Sequence, residues 1–246
     1  ARENGAVCVV SQHPLASEPY ILVHDALDAL QDIALAYRRK FHIPVIGVTG
    51  SVGKTSTKEM LASVLGTRFC VVKTIGSENN QTGVPLTLFR MDEEHEIAIV
   101  EMGTNHFGEI ERLSRMAEPT ICLFTNIGVA HIEFFHSREG ILKGKTEMLE
   151  HMRPGGKIVV NGDDDMLMRV DRALRFGFGE SCALRAVDVQ DNGLAGMAFT
   201  VSYDGQSMRM HVPSPGRHSV QNALAAIGVG LSLGMDLAAL AAGVEA

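Results

Sequence analysis

The chain has no Cys-x-x-Cys pair, no apolar run long enough to cross a bilayer and no excess of basic charge. Its four cysteines, Cys8, Cys70, Cys122 and Cys182, are widely separated, and three lie inside apolar runs (AVCVV, FCVV, ICLF). That usage predicts buried thiols in a reducing compartment rather than a disulfide framework. The longest charge-free stretch near the end, Ser219 to Met235, contains Gln, Asn, Ser and three Gly. It is a poor match to the ~20 apolar residues of a membrane span. No signal-peptide pattern, internal repeat or low-complexity linker is visible. Lys plus Arg number 22 against 29 Asp plus Glu, a net charge of −7. The acidic balance argues against a general nucleic-acid or anionic-membrane binder, which would carry a basic face. It leaves room for a local basic pocket.

What is present is a chain of 246 residues, 46% hydrophobic and rich in glycine, with 25. At about 150 residues per domain this is one large domain or two small ones, with enough chain to bury a core without staples. The pattern alternates strand and helix. Short strands are expected at 6–10, 44–48, 69–72, 96–101, 120–125 and 157–161. Helices are expected at 25–39, with Asp25 as N-cap, and at 54–65, 109–116 and 139–152. Apolar strands alternating with amphipathic helices predict an α/β fold with a mainly parallel sheet covered on both faces. After about residue 180 the period becomes two. ALRAVDV, MAFTVSY and SMRMHV, separated by Asp191-Asn192-Gly193 and Asp204-Gly205, predict a small antiparallel β section around 183–212. A long helix from Ser219 to Leu233 and a short one from Asp236 follow.

The strongest chemical signal is GVTGSVGKTSTKEML, 47–61. A buried strand runs into Gly50-Ser51-Val52-Gly53-Lys54-Thr55-Ser56 and then a helix. Glycines let backbone N–H groups turn toward phosphate oxygens, and the helix aims its positive end at the same place. Lys54 can reach the β- and γ-phosphates, and the Thr55 hydroxyl can bind Mg²⁺. The spacing departs from G-x-x-x-x-G-K-[ST]: Val48 stands where that pattern has Gly, and Gly47 is one residue early. Nucleotide binding is expected. The loop by itself leaves kinase, GTPase, transporter ATPase and ligase open.

Four further segments carry candidate chemistry. GSENNQTGVP, 76–85, is a polar, Gly-bounded loop after a strand, suited to contact a substrate or γ-phosphate. Glu101 closes the apolar strand at its C-terminal end, where open α/β sheets bind ligands, and suits Mg²⁺ or a water. His131, in TNIGVAHIE just past another strand, offers an imidazole nitrogen to a metal or phosphate. In GILKGKTE, 140–147, the pair Lys143 and Lys145 is read as opening a helix. Taken singly, these segments also fit a solvated connection, a plain strand-end carboxylate, a surface histidine and a solvated cationic face.

Together they resemble the Mur ligase family of ATP-dependent amide-bond ligases. The phosphate loop is similar to the family's TG-x-x-GKT, and 76–85 to its G-N-x-N-N-x-x-G-x-P. TNIGVAHIEFF, 125–135, resembles TNIG-x-AH-x-E-x-F, and GRHSVQNALAAI, 216–227, resembles G-x-HN-x-x-N-x-LAA. EMGTNHFGEI, 101–110, is similar to the E-x-G-x-N-x-x-GEI of the branch that adds D-Ala-D-Ala, unlike relatives that add other amino acids. Three departures stand out: Ser77 and Ser219 where the family usually has Asn, and His136 where Gly is common.

The resemblance implies a domain plan and a reaction. Residues 1–42 look like the tail of a uridine-nucleotide-binding domain with its connecting helix. Residues 43–246 look like the central ATP-binding domain, and the family's third domain is not in this chain. A start without Met, in mid-pattern, agrees with a fragment, expected to be inactive alone. ATP would phosphorylate a carboxylate of UDP-MurNAc-tripeptide, and the amine of D-Ala-D-Ala would displace phosphate. Catalytic and phosphate-binding roles fall to Lys54, Glu101, His131 and Lys145, with Gly50 to Ser56, Asn126 and Asn222 on ATP and Asn222 facing adenine. Thr55 and Glu101 would hold one Mg²⁺ and His131 a second. Lys145 matches the lysine most of the family carbamylates, which would make it a further metal-side ligand. Asn79, Asn80, Thr82, Asn105 and His106 are the candidates for the substrate side. A monomer in the bacterial cytoplasm, with neither nucleic acid nor membrane insertion, is expected. The competing readings are another Mur-type ligase, a phosphate-loop ATPase or kinase-like module, and a binding module without ligase activity.

Overall fold

The computed structural model describes residues 5–16 and 19–245. A small parallel pair, β1 (Val9–Ser11) and β2 (Tyr20–Leu22), precedes helix α1 (Ala26–Arg38). The Asp25 carboxylate accepts from the N–H groups of Leu27 and Asp28 and caps α1 as its sequence position predicts. Then come β3 (Val45–Thr49), α2 (Lys54–Gly66), β4 (Val71–Lys73), α3 (Gly83–Phe89), β5 (Ile97–Glu101), α4 (Glu109–Ala117) and β6 (Ile121–Phe124). Next are α5 (Ile132–Phe135), α6 (Arg138–Thr146), β7 (Lys157–Asn161), β8 (Ala173–Gly177), β9 (Leu184–Asp191), β10 (Met197–Tyr203) and β11 (Gln206–Val212). Helices α7 (Arg217–Ser232) and α8 (Leu237–Glu245) close the described chain.

Nine strands form one sheet in the order β11-β10-β9-β8-β7-β6-β3-β5-β4. Neighbours from β4 through β9 are parallel, and β9, β10 and β11 are antiparallel. The central strands alternate apolar residues to two covered faces. Ile46, Val48, Ile97, Ile99 and Leu123 pack with α2, α7 and α8. Val45, Ala98, Val100, Cys122 and Phe124 pack with α1, α3, α4 and α6. Burial on both sides is why these strands read as continuous apolar runs. Among the described residues no helix is long and apolar enough to cross a membrane.

The structure departs from the sequence expectations in particular places. The antiparallel section is an extension of the main sheet, joined through β8, a strand the pattern did not suggest. Helix α3 forms where only a loop was expected, and Pro85 fits because it lies in the first turn, where no intrahelical N–H is needed. The helix expected over 139–152 ends at Thr146, whose hydroxyl turns back to the carbonyls of Leu142 and Lys143, and continues as a 3₁₀ turn, Glu147–His151. The lysine pair therefore lies in the last turn of α6 rather than opening it. Cys122 and Cys182 are buried, but Cys8 and Cys70 are exposed. Cys70 immediately precedes β4, the uncovered edge of the sheet.

Candidate functional site

Strand β3 lies between β5 and β6, while the chain visits β4 and β5 on one side before crossing to β6 on the other. This is a topological switch point, where an open α/β sheet leaves a crevice at its strand C-termini. The loops following β3, β4, β5 and β6 meet there.

The phosphate loop is built from backbone and held by its neighbour. An added Cβ on Gly50 would stand 1.9 Å from Thr125 Oγ1, so this glycine permits close approach of the two loops. Gly53 has φ +80° and opens α2, which has no side-chain cap. Its first N–H groups are thus free to face an anion. Ser51 N–H donates to Asn126 O at 3.1 Å, Val52 N–H to Asn126 Oδ1 at 3.0 Å, and Gly128 N–H to Ser51 Oγ at 2.9 Å. Thr125 Oγ1 donates to the Val52 carbonyl at 2.7 Å. Gly47 has another purpose. A Cβ there would lie 2.7 Å from Met148 Sδ, so it is a packing glycine inside β3, and its offset from the strict phosphate-loop spacing has no bearing on the loop. Lys54 Nζ donates to Gly50 O at 3.0 Å. Burial lowers its pKa, opposed by the charge of Glu101.

Glu101 ends β5 and is 1% exposed. The Thr55 hydroxyl lies 3.2 and 3.0 Å from its two oxygens, and Asn79 Nδ2 donates to Oε1 at 2.7 Å. Lys58 Nζ lies 3.7 Å from Oε2. A hydroxyl beside a carboxylate is a hard-oxygen set that fits Mg²⁺. Among the described residues no three His, Cys, Asp or Glu converge. That suits a cation which takes most of its ligands from substrate phosphates and water.

A cavity of about 550 Å³ opens beside this centre. Lys54, Lys145 and His131 line it with Asn79, Asn80, Thr82, Asn105 and Glu109, and Leu27 and Leu113 supply an apolar wall. Lys145 is 2% exposed, and burial with the nearby charge of Lys54 lowers its pKa to about 7. Its partner Lys143 points elsewhere, 5.9 Å above the Phe107 ring. His131 sits at φ +62°, starting α5. His136, where the resembled family has Gly, sits at φ +65°, a left-handed conformation glycine adopts freely. Asn80 Oδ1 accepts from Thr82 N–H, Gly83 N–H and the Thr82 hydroxyl, so its oxygen shapes its own loop. His106 is not on the cavity wall. It is exposed and packs against Phe134, the rings tilted by 53° with centroids 4.5 Å apart.

Carboxylates fix the 103–108 loop. Glu109 Oε2 accepts from Thr104 Oγ1 at 3.1 Å, Asn105 N–H at 2.6 Å and His106 N–H at 3.1 Å. Burial alone would raise its pKa, but these donors hold it below the usual carboxylate range. Glu147, whose pKa burial pushes up, accepts from Gly108 N–H at 3.0 and 2.9 Å.

On the other side of the phosphate loop, Val52, Gly53, Asn126 and Asn222 line a smaller cleft of about 90 Å³ with Asn161, Phe176 and His218. Thr57 Oγ1 donates to Asn222 Oδ1 at 3.0 Å. Ser56 and Asn222 also line an adjoining hollow of about 410 Å³. Sequence reasoning missed Asn161, Lys58, Glu109 and Glu147. Asn161 ends β7 as Glu101 ends β5, so its strand-end position was a usable signal. Lys58 and Glu147 act through contacts distant in sequence, whereas Glu109 holds the residues three to five positions before it.

The profile of the Mur ligase middle domain matches residues 48–230. The chain is 40% identical over 225 residues to the UDP-N-acetylmuramoyl-tripeptide–D-alanyl-D-alanine ligase of Bacillus subtilis (strain 168), covering 91% of this chain and 49% of that protein. It is 32% identical to the Escherichia coli (strain K12) enzyme of that name, covering 99% and 56%. Among solved structures it is similar to MurF from Acinetobacter baumannii, with a TM-score of 0.92 and 32% identity over 99% of this chain and 55% of that one. It is also similar to MurF ligase from Thermotoga maritima in complex with ADP, with a TM-score of 0.87 and 29% identity over 98% and 58%. The chain spans about half the length of the curated relatives it matches.

Proposed function

The chain belongs to the Mur ligase family, and from that premise we propose that it forms the ATP-binding middle part of a ligase joining D-Ala-D-Ala to UDP-MurNAc-tripeptide in bacterial peptidoglycan synthesis. The observation that carries this reading is the meeting of an uncapped phosphate loop, the Thr55–Glu101 pair and a cavity lined by Lys54, Lys145 and His131. Residues 1–42 are read as the end of the uridine-nucleotide-binding domain. ATP would occupy the loop amides, Lys54 and Asn126, with adenine toward Asn222. Transfer of the γ-phosphoryl to a peptide carboxylate gives an acyl phosphate, and attack by the dipeptide amine releases phosphate and leaves an amide. Such transfer rests on positioning and charge neutralisation. Lys54 brings a cationic group to the crowded anions, while Asn79, Asn80, Thr82 and Asn105 orient the carboxylate. Two Mg²⁺ ions, one at Thr55 and Glu101 and one at His131, would supply the remaining charge neutralisation. The enzyme is read as a cytoplasmic monomer.

Lys145 adds a specific element. An amine with pKa about 7 has a substantial neutral fraction near neutral pH and can add to CO₂, forming a carbamate and releasing a proton. The resulting anion would serve the metal side of the site. Mass spectrometry finding an unmodified Lys145 in active, metal-loaded enzyme would sink that part. For the whole reading, the decisive measurement is phosphate release by the intact protein. It should require ATP, a UDP-muramoyl tripeptide and D-Ala-D-Ala together. Release with nucleotide alone would point instead to a phosphate-loop switch, and ATP–Mg²⁺ binding without turnover to a binding module.

A further inference from the structure

Lys58 is a fully buried lysine that the phosphoryl chemistry does not employ. It follows Thr55 by three residues on α2, so the two side chains share a helix face. Its ammonium donates to the Gly76 carbonyl at 2.6 Å and lies 3.2 Å from Glu59 Oε1 and 3.7 Å from Glu101 Oε2. A buried ammonium is tolerated only with its donors engaged. Here the acceptors come from three places: the turn that opens the 76–83 loop, its own helix and the end of β5. Gly76 makes that turn at φ +53°. Three residues later Asn79 reaches back to Glu101, and its carbonyl accepts from Gly103 N–H at 2.8 Å. Glu101 is therefore gripped from α2, through Thr55 and Lys58, and from the 76–83 loop, through Asn79. Lys58 touches both grips. Packing alone would be served by any apolar side chain of similar length, and would not require acceptors at the carboxylate and the loop entrance.

Building on the nucleotide-site reading above, we propose that Lys58 is a positioning residue that sets Glu101 and the 76–83 loop in one register. The carboxylate meant for the cation and the amide side chains of the cavity wall then arrive together, and Lys58 provides the counter-charge that keeps Glu101 in place.

The test is Lys58→Met in the intact protein, which keeps side-chain length and removes the donors. Hydrogen exchange without ligand should show the N–H groups of Asn79, Thr82 and Gly83 exchanging about 10-fold faster or more, with α4 and α7 unchanged. Titration of Mg²⁺ against a fixed ATP concentration should need about 10–100-fold more cation, as for other residues that orient a metal ligand. ATP affinity without Mg²⁺ should stay within about 3-fold, because the loop amides and Lys54 are untouched. A lone buried carboxylate can unfold the single variant, so Lys58→Met/Glu101→Gln is measured beside it for exchange. That pair is uncharged, and its 76–83 amides should still exchange fast because the Gly76 anchor is gone. Wild-type exchange of the loop in these variants, or wild-type Mg²⁺ dependence in Lys58→Met, overturns the proposal. Failure of the unaltered protein to bind ATP at any Mg²⁺ concentration overturns the nucleotide reading instead, and loop exchange then decides the role of Lys58 by itself.

Discussion

The phosphate loop and the substrate-side loops face each other across one crevice and are stabilised by opposite means. Residues 50–53 are held by main-chain groups and by the closely apposed 125–128 loop, with Gly50 allowing the approach. Residues 76–83 and 103–108 are held by carboxylates: Glu101 takes Asn79, Glu109 takes 104–106, and Glu147 takes Gly108. The first arrangement is vulnerable to added atoms and the second to removed charge. In the phosphate loop the Ser51 and Val52 N–H groups go to Asn126, which leaves the first N–H groups of the uncapped α2 to face an anion. The 103–108 loop is anchored mainly through its backbone N–H groups, and the 76–83 loop through the Asn79 side chain.

The sharpest break of this contrast is Lys54→Ala. The lysine is part-buried and, among the described residues, bonded only to a loop carbonyl, so the fold should survive with little change in melting temperature. Turnover should fall by about 10³-fold, the scale of losing a donor aimed at developing charge. Normal turnover in a steady-state phosphate-release assay would remove Lys54 from the site. Gly50→Ala comes next. Its methyl group would overlap Thr125 Oγ1, forcing the 50–53 and 125–128 loops apart. Calorimetry should show ATP affinity weakened about 10–100-fold, or about 1.4–2.8 kcal/mol. Gly128→Ala, with 3.4 Å to Ser51 Cβ, is the mild control. Equal effects of the two alanines would end the argument from close approach.

The same contrast explains what the sequence disclosed. The phosphate loop is contiguous, so strand, glycines, lysine and helix could be read in one line, and Glu101 was visible because strand ends are special places in such sheets. The α1 cap needed only Asp25 before an apolar period. Two anchors of the other loops were not legible. Lys58 meets Gly76 18 residues away, and Glu147 meets Gly108 across 39 residues. Spacing of this kind leaves no local pattern. Helix α3 was hidden because its polar approach, SENNQ, runs directly into its first turn, and Cys70 was misplaced because an apolar run does not reveal that its strand is the sheet edge. His106 was carried over by motif, yet its ring packs against Phe134 rather than lining the cavity.

Lys145 belongs to neither kind of anchoring, since it is an amine buried beside the Lys54 cation. Below about pH 7 it is charged in folded and unfolded chains alike, and the fold bears the whole cost of that charge. Between about 7 and the ordinary 10.5 the unfolded chain binds a proton that the folded chain does not, so stability rises with pH through that window. In CO₂-free buffer the gain in melting temperature from pH 6 to 9 should be about 4 °C larger in the unaltered protein than in Lys145→Met. Identical pH slopes would mean that Lys145 is not titrating in that range.

Glu109→Gln is the mildest change and bears most directly on anchoring by charge. Glutamine keeps one carbonyl oxygen in nearly the same place, so contacts to Thr104, Asn105 and His106 can persist, but each loses its charge assistance. Bonds to a charged acceptor are worth about 1.5–3 kcal/mol against about 1 for neutral ones, so the expected loss is near 1 kcal/mol, read as about 2–4 °C in melting temperature. Because Asn105 and Glu109 line the cavity while Lys54 does not depend on them, the Michaelis constant for the carboxylate substrate should rise several-fold and that for ATP should stay fixed. A matching rise for ATP would show the two loop systems to be mechanically one, and the contrast between backbone-held and charge-held loops would then describe their chemistry but not their independence.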